Sequence, residues 1–102
     1  MRLGFTTWSM VTVRAEEAIP LLASIGYDSV ELAVVPGWRD GVDLLTPKRR
    51  RRIKQLLCEY DIALTAIAGN TDLLADDEDE LAENWRNLLD TVDLAVEWAS
   101  HD

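Results

Sequence analysis

Apolar positions along this chain alternate between the two-residue period of a strand and the 3.6-residue period of a helix, and the alternation runs through three cycles. The central stretch, residues 28–34 (DSVELAV), is apolar on both parities except for one carboxylate. That is the pattern of a strand covered on both faces, as in a parallel sheet. Val30, Leu32 and Val34 fall on one face, Glu31 and Ala33 on the other. Residues 2–8 (RLGFTTW) read as an earlier strand, with small Gly4 and Thr6 on one parity and Trp8 where it ends. Residues 62–68 (IALTAIA) read as a third, followed by Gly69-Asn70-Thr71.

Helical stripes separate these strands. Ala15, Ala18, Ile19, Leu22 and Ile25 share one face, with Glu16 and Glu17 in the first turn and Gly26 as the stop. Pro20 lies inside this stripe and predicts a kink. Thr46-Pro47 opens a second helix with a hydroxyl cap and a first-turn proline, and its buried stripe is Ile53, Leu56, Leu57 and Tyr60. A third helix is predicted to bury Leu81, Trp85, Leu88, Leu89, Val92, Ala95, Val96 and Ala99. The acidic run at 76–80 (DDEDE) is its dipole-favoured first turn.

Strand and helix in strict alternation define a parallel α/β fold, expected as a single domain over residues 1–102. A doubly wound sheet and part of an eight-fold barrel both satisfy that order. Small Gly4, Thr6 and Ala33 and charged Glu31 on one parity favour the barrel, whose interior carries polar side chains near the strand tops.

Charge narrows the partners. A net charge of −9 argues against non-specific binding to nucleic acid or an anionic membrane. No apolar run is long enough to span a bilayer and no signal-peptide pattern opens the chain, so a cytoplasmic location is expected. Cys58 stands alone, which excludes an internal disulfide, and it reads as a small buried hydrophobe of the second helix.

Candidate chemistry is sparse. Glu31 is either a site residue or a structural carboxylate held by backbone or arginine. The five cations Lys48–Arg52 oppose the dipole of their own helix, and read either as a solvated face or as an anion site through Lys48 and Arg49. Asn70 and Thr71 are loop residues or ligand contacts. Phosphate-binding glycine loops, dinucleotide fingerprints and calcium loops are absent from the sequence.

Three segments together, RLGFTTWS, EEAIPLLASIGYDSVELAV and IALTAIAGNTDLLA, resemble the N-terminal part of the sugar phosphate isomerase/epimerase family, whose members are xylose isomerase-like TIM barrels. GYDSVEL is the most specific piece. The resemblance implies a (βα)3 N-terminal fragment of such a barrel, since a complete one takes about 250 residues. It also implies a divalent metal (Mn, Mg or Zn) in a full-length protein, held by Glu, Asp, His and Glu drawn mostly from later strands. None of those strands is in this chain, and His101 reads as tail. Endonuclease IV-like members carry histidine near the top of strand three, where this sequence has Gly69-Asn70, which lowers a DNA-repair reading.

The expected function is therefore the N-terminal part of a metal-dependent sugar or sugar-phosphate isomerase/epimerase, inert by itself and with no cofactor of its own. Trp8 would form an apolar platform for the sugar, Glu31 and Asn70 polar contacts, and Lys48 and Arg49 a phosphate contact. The alternative is a non-catalytic α/β module that binds a partner, or itself, through open sheet edges.

Overall fold

A computed structural model describes residues 3–10, 12–69, 74 and 76–99. Its elements are β1 (Gly4–Thr6), a 3-10 turn (Thr7–Ser9), α1 (Ala15–Ile25), β2 (Ser29–Ala33), α2 (Pro47–Glu59), β3 (Ala63–Ala68) and α3 (Glu78–Ala99). The strands form one open sheet in the order β1-β2-β3, every pair parallel. No helix among the described residues is long and apolar enough to cross a membrane.

The two faces of the sheet differ as the alternation of β2 requires. Val30, Leu32 and Val34 are fully buried in a cluster with Ile19 and Leu22 of α1, Ile53 and Leu56 of α2, and Leu94 and Trp98 of α3. All three helices thus contribute to one face. Register puts Gly4 and Thr6 beside Ser29 and Glu31, and Ala66 and Ala68 beside Glu31 and Ala33, so the opposite face is built of small residues around one carboxylate. A register shift between Val30 and Glu31 sets Thr65 out of the ladder, and its hydroxyl donates to the Val30 carbonyl at 3.2 Å.

Local chemistry accounts for most boundaries. Gly26 ends α1 at φ 115°, a left-handed conformation that glycine adopts without penalty. The Thr46 side chain accepts from the Arg49 N–H at 3.2 Å, with Pro47 as the first residue of α2. Helix α1 runs unbroken through Pro20 and lacks a side-chain cap at Arg14. Asp40, from the loop after β2, supplies one instead, its Oδ2 accepting from the Ala15 N–H at 2.9 Å.

Four expectations need correcting. Strand β1 is short, because the chain turns into the 3-10 helix at Thr7, so Trp8 stands beyond the strand. Ile25 and Tyr60, assigned to buried stripes, are 64% and 41% exposed at the ends of their helices. Cys58 is exposed. The phase of α3 differs most: it buries Asn87, Thr91, Leu94 and Trp98, and leaves Trp85, Leu89, Val92 and Val96 exposed. The Trp98 indole N–H donates to the Arg50 carbonyl at 3.0 Å, which ties α3 to α2 through that face.

Candidate functional site

Parallel α/β sheets bind ligands at the carboxyl ends of their strands, where the loops leading into the helices gather. At that end of this sheet the 3-10 turn after β1 and the loop 34–46 after β2 each contribute a tryptophan. The rings of Trp8 and Trp38 lie 4.8 Å apart between centroids, tilted by 48°. Trp8 is 42% exposed. Below them, the Thr6 hydroxyl donates to Glu31 Oε1 at 2.9 Å and accepts from the Trp8 N–H at 3.2 Å. One hydroxyl thereby couples the carboxylate on the small-residue face to the backbone that carries the indole. The Thr7 hydroxyl donates to the Glu31 carbonyl at 3.4 Å and accepts from the Ala33 N–H at 2.8 Å, fixing the turn to β2.

Trp38 is held by a compact loop. The Val42 N–H returns to the Val34 carbonyl at 3.0 Å, and the Gly41 N–H bonds the Trp38 carbonyl at 2.9 Å. A side chain at Gly41 would meet the Val35 carbonyl at 2.8 Å, so this closure requires glycine. The loop is then locked by Arg49. Its Nε and Nη2 donate to the two Glu16 oxygens at 2.7 and 2.8 Å, Nη2 also donates to Asp40 Oδ1 at 2.7 Å, and Nη1 donates to the Arg39 carbonyl at 2.9 Å.

Electrostatics follow from burial. The Arg49 hydrogen bond pulls the Glu16 carboxyl below its ordinary range, against a smaller effect of burial. Asp40 is more deeply placed, and there burial outweighs the same guanidinium and raises its carboxyl. Arg49 is held charged, first through its hydrogen bond to Glu16.

The sequence candidates divide accordingly. Trp8 and Glu31 come together at the sheet end, joined by Thr6. Arg49 is committed to Glu16, Asp40 and the Arg39 carbonyl, so its charge is neutralised within the chain rather than offered to an anion. Lys48 is exposed at the start of α2 and shares no hydrogen bond or ion pair with the Trp8–Glu31 group. Asn70, Thr71 and His101 lie outside the described residues. Sequence reading missed Trp38 as a partner of Trp8 and Asp40 as the centre of the lock. A tryptophan in the loop after a central parallel strand was the available signal for the first. The missing cap at Arg14 was the signal for the second.

Among the described residues no three His, Cys, Asp or Glu side chains converge as a metal site. Glu31 offers a single carboxylate, while Glu16 and Asp40 are bound to Arg49, so these residues do not fit a self-sufficient divalent-metal centre. The chain matches no family model, no curated protein and no solved structure.

Proposed function

We propose that this chain forms the first three βα units of a xylose isomerase-like barrel and supplies one wall of the pocket of a cytoplasmic, metal-dependent sugar or sugar-phosphate isomerase/epimerase. The observation that carries the reading is the Trp8–Trp38 pair beside the Thr6-bound carboxylate of Glu31, at the carboxyl ends of parallel strands. Indole faces pack against the C–H faces of sugars, and a carboxylate accepts from their hydroxyls. Thr6 occupies Glu31 Oε1, and Oε2 carries no hydrogen bond among the described residues. Ala66 and Ala68 keep the sheet face beside Glu31 and Ala33 free of bulky side chains, while the space over Gly4 is taken by the Ser29 hydroxyl.

A divalent metal in such an enzyme would be held by Glu, Asp and His side chains of later strands and would supply Lewis-acid chemistry there. This chain's contribution would be binding and orientation: indoles against the carbon skeleton, Glu31 against a hydroxyl, Lys48 towards a phosphate. Arg49 serves that wall by fixing the loop that bears Trp38. By itself the chain should bind sugars weakly and should not interconvert ketoses and aldoses.

The test is titration with a panel of aldoses, ketoses and their phosphates. Binding in about the millimolar range is expected, weakened at least about tenfold by Trp8→Ala and by Glu31→Gln. Binding untouched by either replacement would overturn the proposal. The second reading, a non-catalytic association module, draws support from the open edges of the three-stranded sheet. It predicts concentration-dependent self-association and no sugar dependence.

A further inference from the structure

Strand β2 pairs with β1 on one side and β3 on the other, so both in-sheet neighbours of Glu31, Thr6 and Ala66, belong to the described residues. Three threonine hydroxyls converge on this point of the strand. From β3, Thr65 stands out of the ladder at the register shift and donates to the Val30 carbonyl at 3.2 Å. A bulge of this kind re-aims the side chains beside it. From the 3-10 turn, Thr7 bonds the Glu31 carbonyl and the Ala33 N–H. From β1, Thr6 reaches the carboxylate itself, at 2.9 Å. Ala66 has no polar side chain to offer, and among the described residues no arginine or backbone N–H meets the Glu31 carboxylate.

Proton counting fixes the direction of the Thr6 contact. A backbone N–H can only donate, so the Thr6 oxygen, 3.2 Å from the Trp8 nitrogen, is an acceptor there. The hydroxyl has one proton, and that proton goes to Glu31 Oε1. Oε1 is thereby engaged, and Oε2 is the oxygen left to read a ligand hydroxyl. The same Thr6 oxygen anchors the turn that carries the Trp8 indole, so carboxylate and indole share one reference atom. Capping alone does not account for this arrangement. Asp caps such a turn at least as well as Thr, because a cap needs an accepting oxygen and has no use for a proton on its other side. We infer that Thr6 is the positioning residue of the proposed sugar site. It sets the Glu31 carboxylate against the Trp8 indole, so that the site selects a hydroxyl at one fixed place beside the C–H face of the sugar. The inference rests on the sugar-site reading and narrows it to sugars that carry that hydroxyl.

The experiment uses the whole chain, the aldose or ketose that binds it best, and the monodeoxy derivatives of that sugar, followed through the Trp8 and Trp38 indole resonances. In the native chain one derivative is expected to bind at least about tenfold more weakly than the parent sugar. Thr6→Asp keeps the cap but replaces the proton donor by a second carboxylate. It should weaken the parent sugar at least about tenfold and abolish the discrimination against that derivative. Thr6→Val should act in the same way, and Thr6→Ser should bind as the native chain does. Thr6→Val combined with Glu31→Gln should be no weaker than the weaker single variant, because both remove one interaction. The Trp98 indole resonance, unmoved in each variant, reports that α3 still packs on the core. Should Thr6→Val fail to fold, the contrast between Thr6→Asp and Thr6→Ser decides the matter. Two results overturn the inference while the site stands: undiminished binding by Thr6→Asp, which would make Thr6 a cap only, and losses that multiply in the double variant, which would separate Thr6 from Glu31. A native chain that binds no sugar overturns the site reading and the role of Thr6 with it.

Discussion

Replacing Arg49 by Ala leaves the Asp40 carboxylate buried with only the Ala15 N–H beside it and releases the Arg39 carbonyl next to Trp38. Removing one partner of such a pair costs about 3 kcal/mol, because the remaining charge loses its compensation. The expected result in urea unfolding is a loss of that order. If Arg49 positions Trp38, the exciton couplet of the Trp8–Trp38 pair in far-ultraviolet circular dichroism should also weaken, and Arg49→Lys should restore it only in part, since an ammonium cannot bridge both carboxylates and a carbonyl in the same plane. A folded Arg49→Ala protein with an unchanged couplet would limit Arg49 to stability. Acid should reveal the same lock. Glu16 has a lowered carboxyl in the folded state, so its stabilisation is complete above its ordinary value and is lost as pH falls through the lowered one. Asp40 acts in the opposite sense: its raised carboxyl favours the folded state on protonation, a gain lost again as pH rises through its folded value. The stability gap between the native chain and Glu16→Gln should therefore shrink below the ordinary glutamate range, where thermal melts against pH would detect it. A gap that stays constant would show that Glu16 makes no charged contribution. At this scale the sequence was least informative. Arg49 stands among four other cations, and nothing in that run distinguishes the one whose neighbours are Glu16 and Asp40, 33 and 9 residues away.

Among the elements, β2 and α2 were legible because local and global signals agree. An apolar run with one charge buries on both parities only in a parallel sheet, and Thr46-Pro47 fixes the start of α2 whatever the tertiary context. Helix α3 was legible as a helix but not in phase. Its apolar residues cover two faces, and hydrophobicity ranks the stripe of Trp85, Leu89 and Val92 above the face that includes polar Asn87 and Thr91. The Thr91 hydroxyl satisfies itself by donating to the Asn87 carbonyl at 2.7 Å, which lets this polar pair accompany Leu94 and Trp98 inward. Two leucines of one helix should therefore respond differently. Leu94→Ala, at 1% exposure, is expected to cost about 2–5 kcal/mol, and Leu89→Ala, at 59%, about 0.5 kcal/mol or less. Similar losses in chemical denaturation would mean that α3 is turned the other way. The cap of α2 should be worth about 1 kcal/mol, read as the loss on Thr46→Ala.

At the scale of the molecule, three parallel strands in the order β1-β2-β3 with their helices on one face leave a small-residue face that holds Glu31 and Thr6, and a sheet end that holds two tryptophans. Order and parallel direction were readable from the alternation of periods alone, and so was the face bearing Glu31. The meeting of Trp8 with Trp38 was not, because it depends on how loop 34–46 folds back through Gly41 and on a lock to α1. The chain has four tryptophans, and they report separately on its two surfaces: Trp8 and Trp38 at the sheet end, Trp85 and Trp98 on α3. The most direct test of the proposed sugar site is accordingly a nitrogen-15 spectrum of the four indole groups during titration with a pentose or hexose and its phosphate. The account predicts that the Trp8 and Trp38 resonances move together and saturate while those of Trp85 and Trp98 stay fixed. Four unmoved resonances, or shifts confined to Trp85 and Trp98, would contradict it.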